Sequence, residues 1–202
     1  MKLNAEIHRK RAWRVHTVAP DFQLLDVWRF DLGHRTADLE PFLPCLWGAG
    51  AAIENSWLAR LRLWIGRALG WDDHDFTLPI PGCPEMSVAA RLVAADHSAN
   101  RAAPDSPSPL KAVPVKTVYV FGDEALYEIS NDTIHALLHV GVANSPAEGG
   151  SASLAVYIKS RGLHSRLYMA LINPFRHLIV YPTLIGLVEG SWRRASSSAA
   201  PR

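Results

Sequence analysis

The sequence contains few of the residues that redox, metal and phosphate chemistry usually require. Its 202 residues include only two cysteines, Cys45 and Cys83, which lack metal-ligand spacing and form too small a set to define a redox state. No phosphate-binding glycine loop, nucleophile elbow or zinc-ligand cluster occurs along the chain. We therefore predict two buried free thiols, no bound metal and no cofactor.

The sequence also lacks a strong excess of charge. The formal net charge is +2, and it is local: residues 1–16 hold five basic and one acidic side chain, whereas the remainder holds 16 basic and 18 acidic ones. Nucleic-acid-binding proteins usually spread basic residues over a folded face, so we expect no nucleic-acid partner. Residues 1–20 are interpreted as a solvated basic arm, with at most weak contact with an anionic membrane surface.

A long apolar run is missing near the start as well. The opening MKLNAEIHRKRAWRVH has no continuous apolar stretch of the secretory type, which predicts a cytoplasmic protein without a transmembrane segment. A hydrophobic content of 49% suits one globular domain. We place this domain at residues 21–192, with a Pro/Ala/Ser-rich excursion at about 85–114 and a disordered tail at 193–202. The stretch of the excursion from about His97 to Pro114 is expected to be exposed and poorly ordered.

What the chain does contain is strand and hairpin signals. FQLLDVWRFDL, from Phe22 to Leu32, predicts a first strand. Four further segments, KTVYVF, ALYEIS, TIHALLHVGVAN and ASLAVYIKS, follow one another with turn signals between them, which predicts an antiparallel meander. Alternation in the last of these predicts one buried and one solvated face.

Helical signals occur on both sides of the meander region. Asn55–Gly70 is predicted as an amphipathic helix, whereas Pro41 and Pro44 weaken a shorter helical signal around residues 38–46. Gly162–Gly190 is predicted as a long packing helix that covers several strands. A helical projection divides it into an apolar face (Leu167, Leu171, Phe175, Leu178, Pro182 and Ile185) and an opposite polar sector (Asn173, Arg176, His177 and Thr183).

This order of strand, helices, meander and long C-terminal helix resembles the helix-grip fold of the START-like (SRPBCC) superfamily. YEISNDTIHALLHVGVAN, AVYIKSRGL and LYMALINPFRHLIVYPTLI are similar to a bacterial domain family of unknown function, and SWLARLRLWIGRALG resembles the upstream helix of that family. Together these segments cover about half of the chain. The resemblance implies an α+β helix-grip fold, in which a curved antiparallel sheet wraps around a long C-terminal helix.

Two motifs carry candidate chemistry. His135 and His139 have the H-x-x-x-H spacing of a metal motif, but on a strand they lie about 13 Å apart, too far for one ion whose ligands are about 2 Å away. We expect one of them to line a polar patch. NPFRH (Asn173–His177) is read either as a substrate contact or, as the helical projection favours, as a shaped helix whose Arg176 and His177 point outward.

The functional interpretation is a small hydrophobic ligand held between the sheet and the C-terminal helix. The residues expected to contact it are Trp57, Arg62, Trp64, His135 and Tyr168. Two alternatives stay open. One is a cyclase- or isomerase-like enzyme acting on a polyketide-like substrate, with Asp132 or His135 moving a proton. The other is an interaction protein whose cavity is filled by its own side chains.

Overall fold

The structure is a computed structural model that describes residues 1–33, 36–54, 78–103, 106–132, 134–145, 149–162, 173 and 176–198. Within these residues the protein is an α+β fold with one five-stranded antiparallel sheet. The strands are β1 (Gln23–Asp31), β2 (Lys116–Val120), β3 (Glu124–Ser130), β4 (Ile134–Ser145) and β5 (Gly149–Ser160), and their order across the sheet is β1-β5-β4-β3-β2. The predicted first strand and the predicted meander are confirmed.

Five α-helices are described around this sheet. They are α1 (Ala5–Arg9), α2 (Val15–Val18), α3 (Leu39–Glu54), α4 (Ala94–Ala99) and α5 (Tyr181–Ser198). A 3₁₀ turn occurs at Val88–Arg91 and a π-helical turn at Arg176–Val180. No helix in the described ranges is both long enough and apolar enough to cross a membrane.

One face of the sheet, here called the helix-side face, packs against α3 and α5. Its strand residues include Ala136, Leu138 and Val140 of β4, which alternate with residues of the opposite face. The core beneath the two helices is built mainly from aliphatic and aromatic side chains, with Phe30, Leu39, Phe42, Leu46, Val140, Val188 and Trp192 among its buried members. α3 forms despite Pro41 and Pro44, because Pro41 lies in the first turn, where its missing N–H is not needed, and because its apolar face is well buried.

The opposite face, here called the arm-side face, is also covered, which corrects the prediction that one face is solvated. Ala155 and Tyr157 of β5 are buried there, beside Leu126 and Leu137 of the neighbouring strands. Polar residue types on this face, histidine, glutamate and tyrosine, are usually solvated. Here two further segments of the chain cover them.

The first of these segments is the N-terminal arm, residues 1–20. Lys2, Arg9, Lys10 and Arg11 are exposed as expected, but His8, Trp13, Val15, Val18 and Ala19 are buried. The arm also hydrogen-bonds to the edge strand, since the N–H of Leu3 donates to the carbonyl of Val27 over 2.9 Å. The interpretation as a solvated arm is therefore wrong. Counting the charged residues of this segment overlooks the apolar residues that lie between them and that pack against the sheet.

The second covering segment is residues 78–100, which overlaps the first part of the predicted excursion at about 85–114. Ile80 and Val88 are completely buried against the arm-side face, and Asp96 in α4 is buried as well. The described residues between 101 and 114 are exposed or half-buried. Glu54 of α3 accepts hydrogen bonds from the backbone N–H groups of Lys111, Ala112 and Val113. The proline-rich composition thus marks irregular backbone that is nonetheless held by specific contacts.

The C-terminal segment is helical from Tyr181 to Ser198, so residues 193–198 of the predicted disordered tail continue α5. Residues 163–172 and 174–175 lie outside the described residues, as do residues 55–77 with the predicted Asn55–Gly70 helix. Two residues of the long helix lie opposite to their predicted sides. Leu178, assigned to the apolar face, is 76% exposed, and Arg176, assigned to the polar sector, points inward. The π-helical turn explains this error, because a wider turn shifts the angular position of its residues away from that of a regular α-helix.

Candidate functional site

A polar cluster lies on the helix-side face, where β1 meets the π-helical turn. At its centre is Asp26, which is 3% exposed. Its Oδ2 accepts a hydrogen bond of 2.7 Å from Nη2 of Arg176, while its Oδ1 lies 3.2 Å from Nζ of Lys2 and 3.3 Å from Nε2 of His177. We call these four residues, with Trp28 and Tyr181, the Asp26 cluster.

A β-bulge positions Asp26. The register of β1 on β5 passes from Leu24 opposite Tyr157 to Asp26 opposite Val156, so that Leu25 is an extra residue. Such a bulge re-aims the side chains on either side of it. It brings the carboxylate to the helix-side face, in register with Val156 of β5 and, one strand further, with Leu138 of β4.

Two stacked aromatic rings form one wall of the cluster. The rings of Trp28 and Tyr181 lie 4.5 Å apart at an angle of 27°, and the guanidinium of Arg176 lies 5.3 Å from the centre of the Tyr181 ring and donates to its hydroxyl. Burial raises the pKa of Tyr181 despite the opposing effect of Arg176, so the phenol stays neutral near pH 7. The wall is therefore an apolar surface with a neutral polar rim.

Two nitrogen donors of the cluster are not used in hydrogen bonds among the described residues. Nη1 of Arg176 and Nε1 of Trp28 are both buried, and neither makes a hydrogen bond with any residue that the structure describes. The Trp28 N–H is close enough to the Tyr181 oxygen to favour its ionised form slightly, but it lacks the geometry of a hydrogen bond. The arrangement can thus donate two further hydrogen bonds without breaking those that hold Asp26.

Next to these donors lies an apolar surface that is not fully covered. Val156, Ile158 and Ala136 are buried and pack with Trp28 and Tyr181. The aliphatic side chains around them are only partly buried, although they face the helix side of the sheet: Leu25, Ile129, Ile134, Leu138 and Ile185. Apolar surface and unused donors are therefore adjacent.

Sequence reasoning singled out NPFRH but assigned Arg176 and His177 to the outside. The structure corrects this assignment, since both side chains reach Asp26. Asp26 itself was missed, although a lone acidic residue in the middle of the apolar run QLLDVW is a signal that a buried partner exists. Trp57, Arg62, Trp64 and Tyr168, the other predicted contacts, lie outside the described residues.

His135 lies on the arm-side face and therefore cannot line a space between the sheet and the C-terminal helix, which corrects its predicted position. It is completely buried and bonds through Nε2 to Oε1 of Glu128 over 2.6 Å. Glu128 also accepts hydrogen bonds from the Ser87 hydroxyl and, over 2.9 Å, from the Val88 N–H. Asp132 is exposed in the turn after β3, so neither proposed proton carrier borders the apolar surface.

His139 belongs to a second, equivalent arrangement. Its Nε2 lies 2.9 Å from Oε2 of Glu124, which also accepts from the Tyr119 hydroxyl over 2.9 Å and from the Arg14 N–H over 2.7 Å. Burial alone raises the pKa of Glu124, but these donors outweigh it and hold the pKa below its usual value. Each glutamate of β3 thus joins a histidine of β4 to one covering segment.

The histidines of the arm complete this buried network. Nε2 of His8 and Nε2 of His16 lie 2.8 and 3.0 Å from the Tyr157 hydroxyl. Burial, assisted by repulsion from His139 and His16, lowers the pKa of His8 to about 3, so it is neutral near pH 7. Trp13 closes the network against Gly141, where a Cβ would lie 2.9 Å from the indole and would require the indole to move.

Two other features carry less chemistry. An open depression of about 490 Å³ lies at the end of the sheet beside Arg11, Trp13, Asp38 and Asp123, away from the space between the sheet and α5. Its Asn144 is already bonded in both directions to the backbone of Ala37. Across the described ranges, no group of three or more His, Cys, Asp or Glu side chains is arranged to hold a metal.

Both cysteines are free thiols. Cys45 is buried as predicted, but Cys83 is only half-buried. The Cys83 sulfur lies 3.3 Å from Nζ of Lys159 and 3.4 Å from Nη2 of Arg91. The same two cations hold Asp21, whose pKa is lowered chiefly by its hydrogen bond from Arg91.

Comparison with known proteins gives a family but no activity. A family model described as a protein of unknown function (DUF2867) matches residues 18–183, which include all five strands and the start of α5. No curated protein and no solved structure matches the chain. Because the match covers most of its length, the chain belongs to the DUF2867 family of proteins of unknown function.

Proposed function

We propose that this protein binds a small hydrophobic molecule between the helix-side face of its sheet and the C-terminal helical segment. The observation that carries the proposal is the incompletely buried aliphatic surface around Ile134, Leu138 and Ile185, beside the Trp28–Tyr181 stack. Small-molecule sites are mostly apolar concave surfaces with a few polar groups that fix orientation. The Asp26 cluster supplies such polar groups at the margin of this surface.

We further propose that the fold is a START-like helix grip, as the sequence resemblance implies. An open antiparallel sheet packed against a C-terminal helix is consistent with that assignment. The packing of α3 and α5 over Phe30, Phe42 and Trp192 leaves one half of the interface filled by side chains. The ligand therefore belongs to the other half, near the Asp26 cluster. Bacterial origin and a cytoplasmic location stay predictions from the sequence.

The cyclase or isomerase alternative is not favoured in the form that assigns proton transfer to Asp132 or His135. That alternative needs a proton carrier beside the ligand, and the two residues considered for it are an exposed turn aspartate and a histidine on the arm-side face. The third alternative, an interaction protein without a ligand, is favoured only by the filled half of the interface.

The proposal is tested with a neutral fluorescent probe, N-phenyl-1-naphthylamine, and with dodecan-1-ol as a competitor. We expect saturable binding of one probe molecule per chain, displacement by dodecan-1-ol, and a higher melting temperature in the presence of either compound, because a ligand that binds only the native state stabilises it. Absence of saturable binding for both compounds would contradict the proposal.

A pair of matched variants locates the site. Ile134→Gln places a polar group on the partly buried apolar surface and is expected to weaken probe binding about tenfold. Ile7→Gln makes the same change at a half-exposed isoleucine of α1, outside the Asp26 cluster, and is expected to leave binding unchanged. Equal affinities in the two variants would place the probe elsewhere.

A further inference from the structure

The two unused donors of the Asp26 cluster indicate what a ligand must carry. A buried donor without a partner destabilises the folded protein, so native proteins leave few such donors unsatisfied. Trp28 is 8% exposed, and the Arg176 side chain is 14% exposed. Both are therefore shielded from bulk water, and an oxygen acceptor from a ligand would satisfy Nη1 of Arg176 and Nε1 of Trp28.

The charge of the cluster defines that acceptor further. Lys2 and Arg176 contribute two positive charges against the single negative charge of Asp26, so one positive charge is left in excess before any contribution from His177. A group with one negative charge balances this excess. A phosphate monoester, with a charge of about −1.5 to −2, would place uncompensated negative charge next to the buried carboxylate of Asp26.

We propose that the hydrophobic ligand carries a carboxylate, and that Arg176 and Trp28 bind its oxygens. This inference rests on the proposed function, since it concerns the polar end of the same ligand. Arg176 is suited to the role because its guanidinium is a planar fork: Nη2 is fixed by Asp26 and Tyr181, and Nη1 is left to donate. Asp26 acts as a positioning residue, which holds the guanidinium in place and does not itself contact the ligand.

The position of the donors relative to the apolar surface fits an amphiphile. Asp26 shares a register row with Val156 and Leu138, so the sheet presents the polar anchor at β1 and aliphatic side chains one and two strands away. A carboxylate bound at Arg176 therefore leaves its alkyl or aromatic body over Val156, Leu138 and Ile134. Charge-assisted hydrogen bonds of this kind are about twice as strong as neutral ones.

The test compares dodecanoate with dodecan-1-ol, which has the same chain length and a neutral head, on the purified full chain. We expect the wild type to bind dodecanoate at least tenfold more tightly than dodecan-1-ol in calorimetry at pH 7.5. Equal affinities for the two probes overturn the carboxylate inference and leave the proposed function standing. Binding of neither probe overturns both.

Two conservative variants assign the contact to specific atoms. Trp28→Phe keeps an aromatic ring beside Tyr181 and removes the N–H together with part of the indole. Arg176→Lys keeps a cation for Asp26 and removes the second arm of the fork. Each is expected to weaken dodecanoate binding, by about threefold and about tenfold respectively, and to change dodecan-1-ol binding by less than about twofold. Equal losses for the two probes in either variant contradict the assignment.

Arg91→Lys serves as the matched control, because Arg91 also pairs with a carboxylate, Asp21, outside the Asp26 cluster. It is expected to leave the preference for dodecanoate unchanged. Melting temperatures show whether each variant is folded. If Arg176→Lys does not fold, the Trp28→Phe result decides alone: a selective loss of dodecanoate binding supports the inference, and an unchanged preference overturns it.

Discussion

Both faces of the sheet are covered by other segments, the helix-side face incompletely, and the two are built in different ways. The helix-side face is held by shape, since aliphatic and aromatic side chains of α3, α5 and the strands fill a common core. The arm-side face is held by hydrogen-bonded pairs, since Glu124 and Glu128 each accept three hydrogen bonds. For both glutamates the donors include a histidine of β4 and a group of a covering segment, and Glu124 also accepts from the Tyr119 hydroxyl of β2. Sequence alternation alone distinguishes apolar from polar residues, but it does not distinguish a solvated polar face from a buried one.

The spacing of the two pairs explains why the arrangement repeats. Glu124 and Glu128 are four residues apart on β3, and His135 and His139 are four residues apart on β4, so each set shares one face. In the antiparallel register, Ser130 is opposite His135 and Leu126 is opposite His139, so each histidine lies diagonal to its glutamate. The same geometry thus fixes both covering segments to the sheet.

The largest loss of stability is expected for Glu124→Gln, which changes one of the buried glutamates of the arm-side face. The amide cannot accept all three hydrogen bonds, so a buried donor is left unpaired, and breaking a buried pair in this way costs about 3–5 kcal/mol. Urea unfolding at pH 7 measures the loss, with the exposed neighbour Asp123→Asn as the control, which should change stability by less than about 0.5 kcal/mol. If Glu124→Gln lowers the free energy of unfolding no more than the control does, the hydrogen-bonded pairs do not stabilise the arm-side face.

A pH effect of intermediate size should belong to the arm-side face. The folded-state pKa of His8 is about 3 against an ordinary value of 6.5, so the unfolded chain binds the proton more readily between these values. The contribution of neutral His8 to the free energy of unfolding is thus complete above pH 6.5 and is lost as the pH falls towards 3. Between pH 7 and pH 5 this loss is about 2 kcal/mol. His8→Gln should remove most of it.

The check is the unfolding free energy of both proteins at pH 7, 6 and 5. His97→Gln, which replaces an exposed histidine of α4, should keep the wild-type slope. If His8→Gln keeps that slope too, another group controls acid sensitivity, and the neutral buried state of His8 is not what stabilises the arm.

The smallest effect is expected for a conservative change on the helix-side face. Leu39→Met changes shape but not volume at a fully buried position, and such substitutions usually cost less than about 1.5 kcal/mol. The same urea experiment measures it alongside Glu124→Gln. A cost equal to that of Glu124→Gln would contradict the distinction between a core held by shape and a face held by pairing.

Much of the architecture was predictable from local patterns. Strand β1 and the meander β2–β5 follow from β-favouring residues separated by turn signals, and Gly141 within the strand HVGVAN is a recognisable sign of a close approach by another group, here Trp13. The candidate site was harder to predict from the sequence. NPFRH was identified as distinctive, but its direction depended on a π-helical turn, and Asp26 depended on a β-bulge; neither irregularity has a clear local signature.

The sequence by itself determined the α+β class, the antiparallel order of the last four strands and the separation of His135 from His139, because period-2 alternation and turn residues act over a few residues at a time. Only the tertiary structure decided which polar residues are buried and with whom. His8 meets Tyr157, Glu124 meets Arg14 and Asp26 meets Arg176 across 149, 110 and 150 residues. The physical reason is that the cost of burying a charge is offset only by a partner in three dimensions, and a local sequence window contains no such partner.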